Sequence, residues 1–199
     1  MTQQVLVIHG GDTFETYEKY LEYLNSIEIN LDFLRSKGWK GNLQKDLGEG
    51  FDVLQPRMPN SMNARYKEWK IWFDKIVPML DDQIILIGHS MGGIFLARYL
   101  SENTLDKKIK AVFLVATPFY PKDAPCVDFH VPESLDGLKN QVDKIFLYHS
   151  KDDPVVPFED VEKYKEKLPN AQIRIFENRG HFSMEHFPEI VEDLKKIAS

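Results

Sequence analysis

Ile84-Ile85-Leu86-Ile87-Gly88-His89-Ser90-Met91-Gly92-Gly93-Ile94 is the stretch that decides the fold, because four consecutive apolar residues run directly into Gly-x-Ser-x-Gly. An apolar run without polar alternation suits a strand buried on both faces. Glycines on either side of the serine suit a sharp reversal from strand to helix, where a Cβ finds no room. Helix-compatible residues 93–102 follow. Gly-x-Ser-x-Gly recurs by chance, but between a buried-type strand and a helix it predicts a strained turn that presents the Ser90 hydroxyl as a nucleophile.

Outward from this stretch the same grammar repeats. Apolar runs at 5–8, 51–54, 84–87, 111–115, 144–148 and 172–176 are bounded by turn residues and separated by amphipathic segments. That is the βα alternation of a mainly parallel sheet covered by helices. Helices are expected over 16–36 (broken near 25–28), 63–80, 93–103, 157–168 and 188–197. Trp69, Trp72 and Phe73 lie at helical spacing and read as core residues. Two segments stand outside the alternation. Residues 37–50, with Gly38, Gly41, Gly48 and Gly50, read as an elaborated connection before the second strand. Residues 118–137, rich in proline, leave the carboxyl end of a strand, the side on which open α/β sheets carry their sites. Phe119, Tyr120, Val127, Phe129 and Val131 in it line either a lid or acyl pocket, or the underside of a solvated loop.

The composition narrows the function classes. With 199 residues and 43% hydrophobic content, residues 1–199 form a single domain able to bury a substantial core. The net charge of -6, with basic residues interspersed among acidic ones, speaks against a nucleic-acid partner. The single cysteine, Cys126, excludes an intramolecular disulfide and a cysteine-rich zinc site, and it reads as a loop residue. No apolar run approaches the roughly twenty residues of a membrane span, and Met1 to Gln4 lack a basic leader pattern, so a cytoplasmic protein without membrane association is expected. There is no P-loop, dinucleotide fingerprint or Cys/His cluster, and neither a cofactor nor a metal is expected.

A serine hydroxyl needs a base to take its proton and a third group to orient the base. After the run 144–148 comes His149-Ser150-Lys151-Asp152-Asp153-Pro154, which offers either aspartate as the acid. After the run 172–176 comes Arg179-Gly180-His181-Phe182, which offers His181 as the base. The order Ser, Asp, His along the chain is that of α/β-hydrolases rather than of chymotrypsin-like or subtilisin-like enzymes. His186 is a rival base, although Pro188 makes it a helix lead-in. His89, His130 and His149 read as pocket or structural residues. His9 reads as an anchor of its loop rather than a proton carrier.

His9-Gly10-Gly11, Gly88-His89-Ser90-Met91-Gly92, Asp152-Asp153-Pro154 with Pro157, and Gly180-His181-Phe182 together make the chain resemble the small serine hydrolases of the retinoblastoma-binding protein 9 family, over nearly its whole length. The resemblance implies a three-layer α/β/α sandwich. It would be a minimal α/β-hydrolase fold with a six-stranded sheet that lacks the superfamily's two leading strands. It selects Asp153, the aspartate directly before proline, as the acid. Residues 37–50 are expected to depart from the family. An oxyanion hole would be made by the Met91 N–H at the helix start and the Gly11 N–H of the first loop, with Asp12 the neighbouring alternative.

The expected activity is hydrolysis of a carboxylic ester or thioester of a small molecule through Ser90, His181 and Asp153. A hydrolase scaffold retained as a catalytically idle protein-binding module is the alternative, since fold does not fix function.

Overall fold

The computed structural model describes residues 2–35, 38–121 and 128–199. Six strands form one sheet, β1 (Gln3–Ile8), β2 (Phe51–Leu54), β3 (Ile84–His89), β4 (Ile109–Val115), β5 (Ile145–Ser150) and β6 (Gln172–Phe176). They lie in the order β2-β1-β3-β4-β5-β6, and every neighbouring pair is parallel. All six apolar runs of the sequence coincide with these strands, the fifth starting one residue early at Lys144. Because side chains alternate across a strand, successive residues feed two separate cores. Leu6, Ile8, Leu86, Val112 and Leu114 face one side, while Val5, Val7, Ile85, Ile87, Phe113 and Tyr148 face the other.

The helices are α1 (Tyr17–Ser26), α2 (Leu31–Arg35), α3 (Gly38–Leu47), α4 (Tyr66–Ile76), α5 (Met91–Glu102), α6 (Asp136–Gln141), α7 (Glu159–Lys167) and α8 (Pro188–Ala198). The first core is covered by α4, α5, α6 and α7, which contribute Trp69, Phe73, Phe95, Leu138 and Tyr164. The second is covered by α3 and α8, which contribute Trp39, Leu43, Ile190 and Leu194. The result is the expected three-layer α/β/α sandwich. Each such apolar side chain, taken fully from water, contributes about 1.5–3 kcal/mol before the entropy of ordering it. The helix α8 is further fixed by Asp193, which accepts hydrogen bonds from Tyr148 on β5 and Arg174 on β6. None of the helices among the described residues is long and apolar enough to cross a membrane.

Three local expectations need correction. Residues 38–47 are a helix rather than a loop, because Trp39, Leu43 and Leu47 recur every four residues and bury one stripe against the sheet. The glycines that suggested a loop punctuate its ends: Gly38 and Gly48 have φ of 57° and 85°, and the Gly48 N–H closes the last turn on Gln44 O. The segment after β4 contains α6, which the sequence reading did not anticipate. On α4, Trp69 and Phe73 are fully buried, whereas Trp72, one position off that stripe, is 44% exposed.

The strand order places a crevice. The chain runs from β1 outward to β2, then returns to the other side of β1 for β3, so the connections leave β1 and β3 in opposite directions. In open parallel sheets that switch point, at the carboxyl ends of the strands, opens a cleft for ligands. The loop that begins at His9 and the turn that carries Ser90 leave the sheet side by side there.

Candidate active site

Ser90 occupies the turn between β3 and α5 with φ 54° and ψ -121°, a left-handed backbone that non-glycine residues adopt only under constraint. The constraint is visible on both sides. The Ser90 N–H donates to Val115 O at 2.8 Å, extending the sheet pairing, and α5 starts at the next residue. A Cβ on Gly88 would lie 2.4 Å from Gly92 O, and one on Gly92 would lie 2.3 Å from Ile8 O. Both glycines are therefore required by close backbone approach, as the motif implies.

His181 sits on the loop after β6, and its Nδ1 lies 2.9 Å from Asp153 Oδ2 and 3.1 Å from Oδ1. The Asp153 side chain is completely buried. Burial alone would raise its carboxyl, but hydrogen bonds from His181 and from the Val156 and Val155 N–H groups outweigh that and hold it below the usual carboxylate range. An ionised Asp153 makes His181 Nδ1 the donor and leaves Nε2 as the free, basic nitrogen.

The two aspartates divide the labour. Asp152 accepts from Ser150 Oγ and from the Gly180 N–H at 2.9 Å, and Ser150 Oγ in turn accepts from the Arg179 N–H at 2.9 Å. Asp152 thus holds the backbone of the histidine loop while Asp153 holds the ring. Two further groups fix that loop: Trp39 Nε1 donates to Phe182 O at 3.0 Å, and His89 Nε2 donates to His181 O at 3.0 Å. The helix α3, missed in the sequence, is therefore part of the support for His181.

Ser90, His181, Gly11 and Met91 line one cavity of about 740 Å³, together with His9, Gly10, Asp12, Thr13, Lys40, His89, Pro118, Tyr120, Val155 and Val156. The Met91 N–H is among the donors at the start of α5 that have no partner within the helix. Asp12 N–H donates to Ser61 O at 2.9 Å, so of the two loop amides expected for the oxyanion role, Gly11 and Asp12, only Gly11 is left uncommitted among the described residues. Gly11 also has to be glycine, since a Cβ there would lie 2.5 Å from Ser61 O. His9 is spent on architecture: Nε2 accepts from the Met58 N–H at 2.9 Å and Nδ1 donates to Gly10 O at 2.6 Å.

Other histidines lie elsewhere. His186 pairs with Asp46 at 2.8 Å, His149 is buried against Val156 O, and His130 contacts Arg98. No group of three metal-ligating side chains occurs among the described residues. Of the aromatic and aliphatic residues expected to line a pocket from 118–137, Tyr120 does so, with Pro118 beside it. Phe129 and Val131 are buried in the first core instead, and Phe119 packs on Tyr164 at 5.1 Å. Pro125, Cys126 and Val127 lie outside the described residues.

A six-stranded parallel sheet with a strand-serine-helix elbow at its switch point defines an α/β-hydrolase fold. The model of the serine hydrolase family matches residues 34–194, and the chain belongs to that family as a hydrolase. The matched span includes α3. The serine hydrolase RBBP9 of Rattus norvegicus is 29% identical over 168 residues, covering 80% of this chain and 86% of that protein. The putative hydrolase YdeN of Bacillus subtilis is 25% identical over 194 residues, covering 92% and 87%. The crystal structure of the B. subtilis ydeN gene product has a TM-score of 0.72 at 20% identity and covers 98% of each chain, a likeness of fold.

Proposed function

We propose that this chain hydrolyses carboxylic esters or thioesters of small molecules by an acyl-enzyme route. The observation that carries the reading is the convergence on one cavity of a strained Ser90 and a His181 whose ring is held by a buried, ionised Asp153. His181 Nε2 takes the proton from Ser90 Oγ as the oxygen attacks the carbonyl carbon. The negative charge that develops on the carbonyl oxygen is received by the Met91 and Gly11 N–H groups, and each such donor contributes about 3 kcal/mol to the transition state. His181 then gives its proton to the departing alcohol or thiol. Water, deprotonated by the same nitrogen, releases the acid and restores Ser90. Asp153 keeps the ring in the tautomer that leaves Nε2 basic and stabilises the imidazolium that forms. Pro118 and Tyr120, over the strand ends, form part of the substrate wall.

The test is turnover of a chain-length series of p-nitrophenyl esters by the wild type and by Ser90→Ala. Turnover confined to the wild type is the expected result. Equal turnover by both proteins, or none by a well-folded wild type, overturns the reading, and in the second case the idle binding module takes its place.

A further inference from the structure

Lys40 projects from α3 into the wall of the Ser90 cavity. Its Nζ lies 3.3 Å from His89 Nδ1 and 5.1 Å from the centre of the Trp39 ring. His89 Nε2 is committed as donor to His181 O, so Nδ1 is the acceptor and the ammonium is the donor. An ammonium has three donors, and no carboxylate forms an ion pair with Lys40 among the described residues. Burial without such a partner draws Lys40 down to about 8. A charge held this way is destabilising unless a ligand supplies the missing counter-charge.

Lys40 also borders an adjoining cavity of about 310 Å³, shared with Val7, His9, Gly41, Gln55, Pro56 and Arg57, and no acidic side chain among the described residues lines it. Arg57 is exposed, and no hydrogen bond or ion pair engages it among the described residues. In the Ser90 cavity the one carboxylate in the wall among the described residues, Asp12, accepts from Tyr23 Oη at 2.9 Å. In a chain of net charge -6, Lys40 and Arg57 thus face one cavity, which adjoins the Ser90 cavity through Lys40 and His9.

We propose that Lys40 and Arg57 form an anion-recognition site next to Ser90, and that the ester or thioester hydrolysed carries a carboxylate or phosphate seated there. The proposal rests on the serine-hydrolase reading above. The anion would sit on the half-buried Lys40 ammonium, with the Arg57 guanidinium at the open end of the crevice. It would raise specificity by ion pairing in a site shielded from water.

The experiment compares kcat/KM for matched esters in two arms. The acyl arm sets p-nitrophenyl hemiglutarate against p-nitrophenyl valerate, and the leaving-group arm sets 4-carboxyphenyl butyrate against 4-carbamoylphenyl butyrate. The wild type should favour the anionic member in one arm, which identifies the side that bears the charge. Lys40→Gln should reduce that preference about tenfold or more, chiefly through KM, while Lys40→Arg keeps most of it. Arg57→Gln, a change at an exposed side chain, should reduce it less, and it supplies the reading where Lys40→Gln does not fold. Absence of preference in both arms, or a preference unaltered in Lys40→Gln and Arg57→Gln, overturns the proposal. If none of the esters turns over, labelling of Ser90 by a fluorophosphonate decides. Labelling slowed by glutarate or inorganic phosphate in the wild type, and not in Lys40→Gln, supports the anion site, and labelling indifferent to both anions overturns it. No labelling at all removes the hydrolase reading and this proposal with it.

Discussion

Replacing Lys40 with methionine should remove a rise in stability that is expected of the native chain toward alkaline pH. The folded state holds the Lys40 ammonium with its value drawn from 10.5 to about 8 by burial. Below about pH 8 both folded and unfolded chains keep the proton, and the folded chain bears the whole penalty, about 3 kcal/mol at 1.36 kcal/mol per pH unit. Between about 8 and 10.5 the folded chain sheds the proton while the unfolded chain retains it, so stability rises with pH. By pH 9.5 about 2 kcal/mol of the penalty has gone. Methionine keeps the apolar stem against Trp39 but leaves His89 Nδ1 without its donor, a loss of about 1–3 kcal/mol that does not vary over this range. At neutral pH the variant therefore gains little or modestly, and the pH-dependent part is the clean signal. Tyr23, pushed up to about 12, and Tyr66, Tyr99 and Tyr148, pushed higher still, favour the folded state less as the unfolded tyrosines ionise. That effect grows above pH 10 and is common to both proteins. Urea unfolding at pH 7 and pH 9.5 should show the wild type gaining about 2 kcal/mol on Lys40→Met. Parallel pH profiles for the two proteins would refute the argument.

Other consequences follow from single contacts. Asp153→Asn should lower kcat by about a thousandfold to ten-thousandfold by presenting the wrong tautomer of His181. Asp152→Asn, which loosens only the Gly180 and Ser150 contacts, should cost about tenfold; steady-state ester kinetics separate the two, and equal losses would contradict the division of roles. Gly92→Ala drives a Cβ to 2.3 Å from Ile8 O and should destabilise by about 3 kcal/mol. Gly48→Ala has open space and a φ of 85°, so only backbone strain of about 1 kcal/mol applies. Thermal unfolding of the two variants side by side checks the contrast.

The four central strands were legible because a strand buried on both faces leaves an uninterrupted apolar run, as at 5–8, 84–87, 111–115 and 145–148, whereas the edge strands β2 and β6 carry Asp52 and Arg174 within theirs. The elbow was legible for a different reason: two glycines two positions either side of Ser90 have backbone carbonyls where a Cβ would stand. The helix α3 was hidden by its own glycines, although Trp39, Leu43 and Leu47 carried the four-residue spacing that could have found it. Its loss also hid Lys40, which meets His89 only because α3 packs beside the carboxyl ends of β1 and β3. The partition between Asp152 and Asp153 was selected by the resemblance, through the proline that follows Asp153, and not by two adjacent, chemically identical residues on their own. It depends on which carboxylate the turn points inward, and the Val155 and Val156 N–H groups make that choice for Asp153. For Phe129 and Val131 the loop's composition left a pocket wall and a loop underside equally open, and the first core, with Trp69 and Phe95 at hand, takes both residues.

The most direct test of the central claim, that Ser90 is an activated nucleophile, is intact-mass analysis after exposure to a fluorophosphonate, with wild type and Ser90→Ala side by side. One adduct is expected on the wild type and none on the variant. A folded wild type that takes no label, or a variant that takes the same single label, would contradict it.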